Sequence, residues 1–176
     1  MDILAHSIWS ALVAKSINLN KKKKLSLLKT ALWGIFPDLF SFTLLFIVLF
    51  IGTLFGTTPV PDHNNIEPAM RNGSISIITE VLYEFSHSLI IFAIILLVLY
   101  VSTGKVIWEM LGWGLHIIID IFTHSYKFYP TPFLWPFSEF RYDGISWSQS
   151  WFQIINYSAM IIVFGIIWWC EKKKKR

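Results

Sequence analysis

The stretch HIIIDIFTHS, residues 116–125, sets three ionisable side chains, His116, Asp120 and His124, in an otherwise apolar run, each four residues from the last. Such a run is a buried or membrane helix, and either setting accepts His and Asp only where they pair, ligate or line a polar cavity. At about 100° per residue the three positions drift only about 80° and rise about 12 Å, so they form one stripe. Two ligands at i and i+4 can chelate one metal ion from a single helix. The third is too far for the same ion unless the helix ends. Ser125 and Pro130 predict that it ends there, and a second ion is then within reach of His124.

Composition places this stripe in a membrane. Hydrophobic residues make up 55% of the chain and charged residues 15%, where soluble domains average about 25% charged. A hydrocarbon core of about 30 Å needs about 20 apolar residues. Residues 30–56, 76–102, 106–124 and 151–169 each approach that length, and residues 3–17 form a shorter, marginal segment. The expectation is an all-α, polytopic membrane helical bundle with four or five membrane-embedded helices. It forms one domain over residues 1–176, with polar or aromatic loops at 57–75 and 125–150. No internal repeat is visible.

The net charge of +4 does not indicate nucleic-acid binding, because Lys21–Lys24 contribute four of the 15 basic residues and Lys172–Arg176 five. Runs of this kind beside apolar segments are topology anchors. Alternating spans put Lys21–Lys24, Lys105 and the basic C-terminus on one side, expected to be the cytoplasmic side of a prokaryotic inner membrane. The loops at 57–75 and 125–150 then face outward. The one cysteine, Cys170, allows no intrachain disulfide.

Ionisable residues recur in the apolar segments: His6, Asp38, Glu84, His87, His116, Asp120 and His124, with Asp2 at an edge. Asp2 and His6 repeat the i, i+4 spacing, and Glu84 and His87 stand at i, i+3. Counted at 1.5 Å per residue from the basic end of each segment, His6, Asp38, His87, His116 and Asp120 lie at roughly 14–22 Å. A lone histidine in a span is often no more than a hydrogen-bonded packing residue. A set at one height on four helices fits a shared site, either a metal centre or an ion pathway.

The pieces MDILAHSIW, GIFPDLFSF, EFSHSLII and GWGLHIIIDIFTHS, followed by PTPFLWPFS and DGISW, together resemble the membrane-bound, predicted metal-dependent hydrolases, the family that includes the LexA-regulated inner-membrane protein. The pieces fall in family order and touch nearly the whole chain. Many members carry a second acid after the PD, where Leu39, Phe40 and Ser41 follow here. Many have a histidine where Leu82 stands. The order of His and Asp is also loosely similar to the zinc-dependent phospholipase C helical fold.

The resemblance implies a metal-assisted hydrolase. His6, Asp38, His87, His116, Asp120 and His124 would be its ligands, and Glu84 or Asp2 its general base. The cofactor would be Zn²⁺, one or two ions, because histidines dominate, with Mn²⁺ or Mg²⁺ as oxygen-liking alternatives. In the aromatic loop, Trp135, Trp147 and Arg141 are candidate substrate contacts, Arg141 toward a phosphate or else toward Asp143. The expected substrate is a membrane lipid or lipid-linked (phospho)ester near the outer face. An ion or metal transporter, and a non-catalytic scaffold with a degenerate site, are the alternatives.

Overall fold

The computed structural model describes residues 1–20, 24–57, 74–127 and 129–174. Lys21–Lys23, most of the 57–75 loop including His63 and Arg71, and Lys175–Arg176 lie outside the described residues. Every regular element among the described residues is helical. In chain order they are α1 (Ile3–Asn18), α2 (Leu27–Leu54), α3 (Ser74–Ser86), α4 (Leu89–Thr103), a short 3₁₀ turn (Trp108–Met110), α5 (Leu111–Thr123) and α6 (Ser150–Lys174).

Local chemistry sets the boundaries. Asp2 caps α1, its carboxylate accepting the Ala5 N–H at 2.9 Å, and Ser26 caps α2 through the Lys29 N–H at 3.3 Å. A polar oxygen at that position satisfies one of the donors a helix start leaves open. Gly104 ends α4 with φ of 65°, a left-handed conformation in which glycine carries no Cβ penalty. His124 follows α5 in extended conformation, so that helix ends where Ser125 and Pro130 predict.

Helix α2 is the hub and packs against α1, α3 and α5. Two glycines permit this closeness. A Cβ on Gly34 would stand 2.2 Å from Ser10 Oγ and 3.0 Å from the His6 carbonyl oxygen on α1. A Cβ on Gly112 would stand 2.2 Å from the Thr30 carbonyl oxygen on α2. Trp113, Met110 and Ile117 are buried beside Trp33, Phe36 and Phe92.

The outside of the bundle is apolar. Helix α4 buries no residue within the chain, and Phe50, Val101 and Ile161 are each more than two-thirds exposed. Helices α2 and α6 are long and apolar enough to cross a membrane. Helices α3 and α4 reach that length only as a pair, bent by 61° at His87–Ser88. The continuous helix expected over 76–102 is therefore broken. Ser88 begins the second half by accepting the Ile90 and Ile91 N–H groups. The segment expected to span at 106–124 holds only the 13-residue α5, about 20 Å long, with much of its surface buried.

The basic clusters share one end. Lys24 and Lys105 line one cleft with Ile17 near the end of α1. From the tail, Lys174 donates to the Leu19 carbonyl at 2.6 Å.

Candidate metal centre

Four elements deliver one buried polar cluster. Asp38 comes from the middle of α2, His87 from the break between α3 and α4, and His116 and Asp120 from α5. One ligand atom from each lies within 4.8 Å of all the others. His6, from α1, stacks its ring on His116 with centroids 3.6 Å apart. Its Nε2 lies 2.9 Å from Asp120 Oδ1, and His124 Nε2 lies 3.4 Å from the same oxygen. All six residues are buried. Of the six metal ligands expected from sequence, Asp38, His87, His116 and Asp120 form the group that could hold an ion, and His6 and His124 lie against it.

The tautomers follow from the outer partners. His116 Nδ1 is 2.6 Å from the Gly34 carbonyl oxygen, and His124 Nδ1 is 3.0 Å from that of Tyr129. A carbonyl oxygen can only accept, so each Nδ1 carries a proton, and in the neutral ring Nε2 then keeps its lone pair. For His87 the chain is longer. Ser41 donates to the Pro37 carbonyl at 2.8 Å, Ser86 to Ser41 at 2.7 Å, and His87 Nδ1 to Ser86 at 2.9 Å. Donors thus run in one direction from the ring to the α2 backbone, and His87 Nε2 is left bare as well.

These bare nitrogens converge. His87 Nε2 and His116 Nε2 are 3.1 Å apart, and His116 Nε2 is 3.0 Å from Asp120 Oδ2. Asp120 Oδ2 and His6 Nε2 nevertheless make no hydrogen bond. Two carboxylates and several imidazole lone pairs facing one another in an apolar bundle repel unless a cation lies among them. The donor set fits a divalent ion: nitrogen and carboxylate oxygen, with the second ring nitrogen of each of three histidines fixed by the protein. A positive charge already stands against the other carboxylate oxygen. The Met1 ammonium contacts Asp120 Oδ1 and lies 3.0 Å from His124 Nε2.

The remaining candidates separate. Asp2 caps α1 and accepts the Tyr157 hydroxyl at 3.0 Å, while its Oδ2 is buried without a hydrogen bond. Asp2, Trp147, Asp38 and His124 line a common cavity of about 300 Å³, together with Leu4, Phe42 and Phe46. Glu84 is paired with Arg141 at 2.7 Å. Arg141 thus pairs with Glu84, while Asp143 accepts the Tyr126 N–H. Trp135 is half-buried and serves the site through its backbone, its carbonyl accepting the Ser88 hydroxyl at 2.5 Å.

Tyr83 was not singled out in the sequence. It is fully buried, stacks on His87 with centroids 3.8 Å apart, and donates to the Tyr129 carbonyl at 2.8 Å. One tyrosine thereby braces His87 and the carbonyl that orients His124. The i, i+4 spacing of Tyr83 and His87 on an apolar helix was the only signal for it. Comparisons with family models, curated proteins and solved structures give no match.

Proposed function

We propose that this chain is a multi-pass membrane hydrolase, dependent on a zinc-class divalent metal, that cleaves a lipid or lipid-linked phosphoester or ester. The observation that carries the reading is the set of imidazoles anchored through Nδ1 and turned through bare Nε2 onto Asp38 and Asp120. The resemblance of the sequence to the membrane-bound metal-dependent hydrolases supports it. Four or five helices embedded in the bilayer, with the basic end in the cytoplasm, would bring this cluster toward the outer leaflet of a prokaryotic inner membrane.

Asp38, His87, His116 and Asp120 Oδ2 would hold one ion. His6 and His124 flank the other oxygen of Asp120 and would hold a second ion only in place of the Met1 amine that stands there. Histidine-rich ligation favours Zn²⁺ over Mn²⁺ or Mg²⁺. When bound, such a metal supplies Lewis acidity and lowers the pKa of its water to about 7.

The chain's own residues do the rest. Asp2 stands on the cavity wall with one unpartnered carboxylate oxygen, placed to take a proton from water. Phe42, Phe46 and Leu4 give that cavity an apolar wall. Leu4 and Phe46 are also exposed on the outside of the bundle, which favours a substrate arriving sideways from the bilayer. Glu84, engaged by Arg141, holds the aromatic loop to α3 and is not the proton acceptor in this reading.

The test is release of phosphate or headgroup from a panel of lipids by purified protein in detergent. Activity should vanish with chelator, return with Zn²⁺, and be absent in His116→Ala that is folded and inserted. Turnover that survives both chelation and His116→Ala rules the reading out. Silence on the whole panel with metal bound, together with metal flux in liposomes, would assign the cluster to transport, a role that broken helices such as α3–α4 also serve.

A further inference from the structure

We propose that the cleft at the basic end of the bundle is a binding site for one anionic phospholipid, separate from the metal centre. The cleft has a volume of about 760 Å³ and lies between the end of α1, the start of α2 and the α4–α5 connection. That is within the range of small-molecule sites. Its charged lining is Lys24, Lys105 and Glu109, and its apolar lining includes Ile17, Trp108 and Leu111.

Among the described cations at this end, Lys24 and Lys105 are the ones that line the cleft, and Lys29 stands in a separate groove with Leu32, Trp33 and Phe36. Lys15 pairs with Glu171 at 3.4 Å, Lys172 and Lys173 lie over the rings of Trp168 and Trp169, and Lys174 donates to Leu19 and Asn20. Lys24 and Lys105 form no ion pair among the described residues. Glu109 accepts the Ser26 N–H at 3.3 Å, which draws it toward the start of α2. Two ammonium groups against one carboxylate leave the lining one positive charge. One phosphodiester monoanion neutralises it.

The apolar part of the lining decides between a lipid and free phosphate. Val106 and Leu111 are partly exposed, Trp108 is half exposed, and α4 runs beside them with its apolar side chains uncovered. A lipid can place its phosphate between Lys24 and Lys105 while its chains lie on this surface. Tryptophan at such a level is the usual companion of a headgroup. Inorganic phosphate gains only the charged half of the site.

The experiment uses the whole protein in nanodiscs of phosphatidylcholine with a minor fraction of phosphatidylglycerol, followed by native mass spectrometry. Wild type should retain one phosphatidylglycerol per chain. Lys24→Gln with Lys105→Gln should bind it about 30-fold more weakly, from the surface attraction of two lysines. Lys172→Gln with Lys173→Gln should retain it, since those cations are occupied elsewhere. The thermal transition of each variant, followed by tryptophan fluorescence, establishes that it is folded. Equal loss in both double variants would reduce the effect to general surface charge and overturn the proposal. So would equal retention of phosphatidylcholine, or displacement of the lipid by millimolar inorganic phosphate. None of these outcomes depends on hydrolysis or on metal, so the site stands or falls apart from the hydrolase reading.

Discussion

His116 Nδ1 donates to the carbonyl of Gly34 at 2.6 Å, across the contact between α5 and α2. The same glycine lets α1 approach α2, because its missing side chain leaves room for Ser10 and the His6 backbone. One residue without a Cβ therefore sets the spacing of the helix that carries His6 and the orientation of His116. Gly34→Ala should destabilise the fold by about 1–3 kcal/mol, the usual cost of overpacking. It should also weaken metal binding by 10–100-fold, as loss of a ligand's outer partner does. Thermal unfolding and metal competition measure the two. An alanine variant with wild-type metal affinity would show that His116 does not need this carbonyl.

Asp120 faces two pairs of histidines with its two oxygens, Oδ2 toward His116 and His87 and Oδ1 toward His6 and His124. If two ions were held, a shared Asp120 would make the two positions unequal in their response to mutation. Metal analysis of purified protein should find one or two ions per chain in wild type and less in Asp38→Asn and in Asp120→Asn, with His6→Ala lowering the content only if a second ion is held. Full metal content in a folded Asp120→Asn would remove the bridge.

Much of this cluster was legible in the sequence because its signals are local. The His116–Asp120–His124 stripe and the matched heights on separate helices follow from helix geometry, and the end of α5 at Thr123 from Ser125 and Pro130 beyond it. The break at His87 was not legible. LYEFSHSLII reads as one apolar helix, and the cap at Ser88 is reinforced by the Trp135 carbonyl, 47 residues away. The same holds for Glu84. On its own helix it shares a face with His87, and only the fold shows that Arg141, 57 residues on, takes its carboxylate. The length of α5 was misjudged for a related reason. Hydropathy does not distinguish a helix buried in protein from one buried in lipid, and one face of α5 is buried against its neighbours while Ile118 and Phe122 stay exposed.

The pairing of Arg141 with Glu84 separates two roles for the arginine. Both side chains are about one-fifth exposed, so the pair adds no more than about 1 kcal/mol to stability. If Arg141 serves to hold the loop, Arg141→Gln and Glu84→Gln should raise KM alike, and the double variant should be no worse than either. A substantially larger effect of Arg141→Gln on KM would instead put the guanidinium on the substrate's phosphate. The comparison is a double-mutant cycle on KM, with metal content as control.

In the proposed hydrolase, Trp147 would report on how a substrate reaches the metal. Its backbone N–H donates to the Thr123 carbonyl at 3.0 Å, which fixes the loop just beyond His124. Its side chain lines the same cavity as Asp38, His124, Phe42 and Phe46. Removing the indole leaves the backbone anchor and every metal ligand in place while widening the apolar part of the cavity. Trp147→Ala should therefore keep its metal and raise KM for an amphiphilic substrate by about tenfold, since a lost aromatic contact costs roughly 1–1.5 kcal/mol. For a short, water-soluble ester with no chain to seat against Phe42 and Phe46, the same substitution should change KM little. Steady-state kinetics on a long-chain and a short-chain substrate give the comparison. Equal losses on both would mean that the indole shapes the reacting group's position instead of the path of the chain, and loss of metal in the variant would place its role in holding His124.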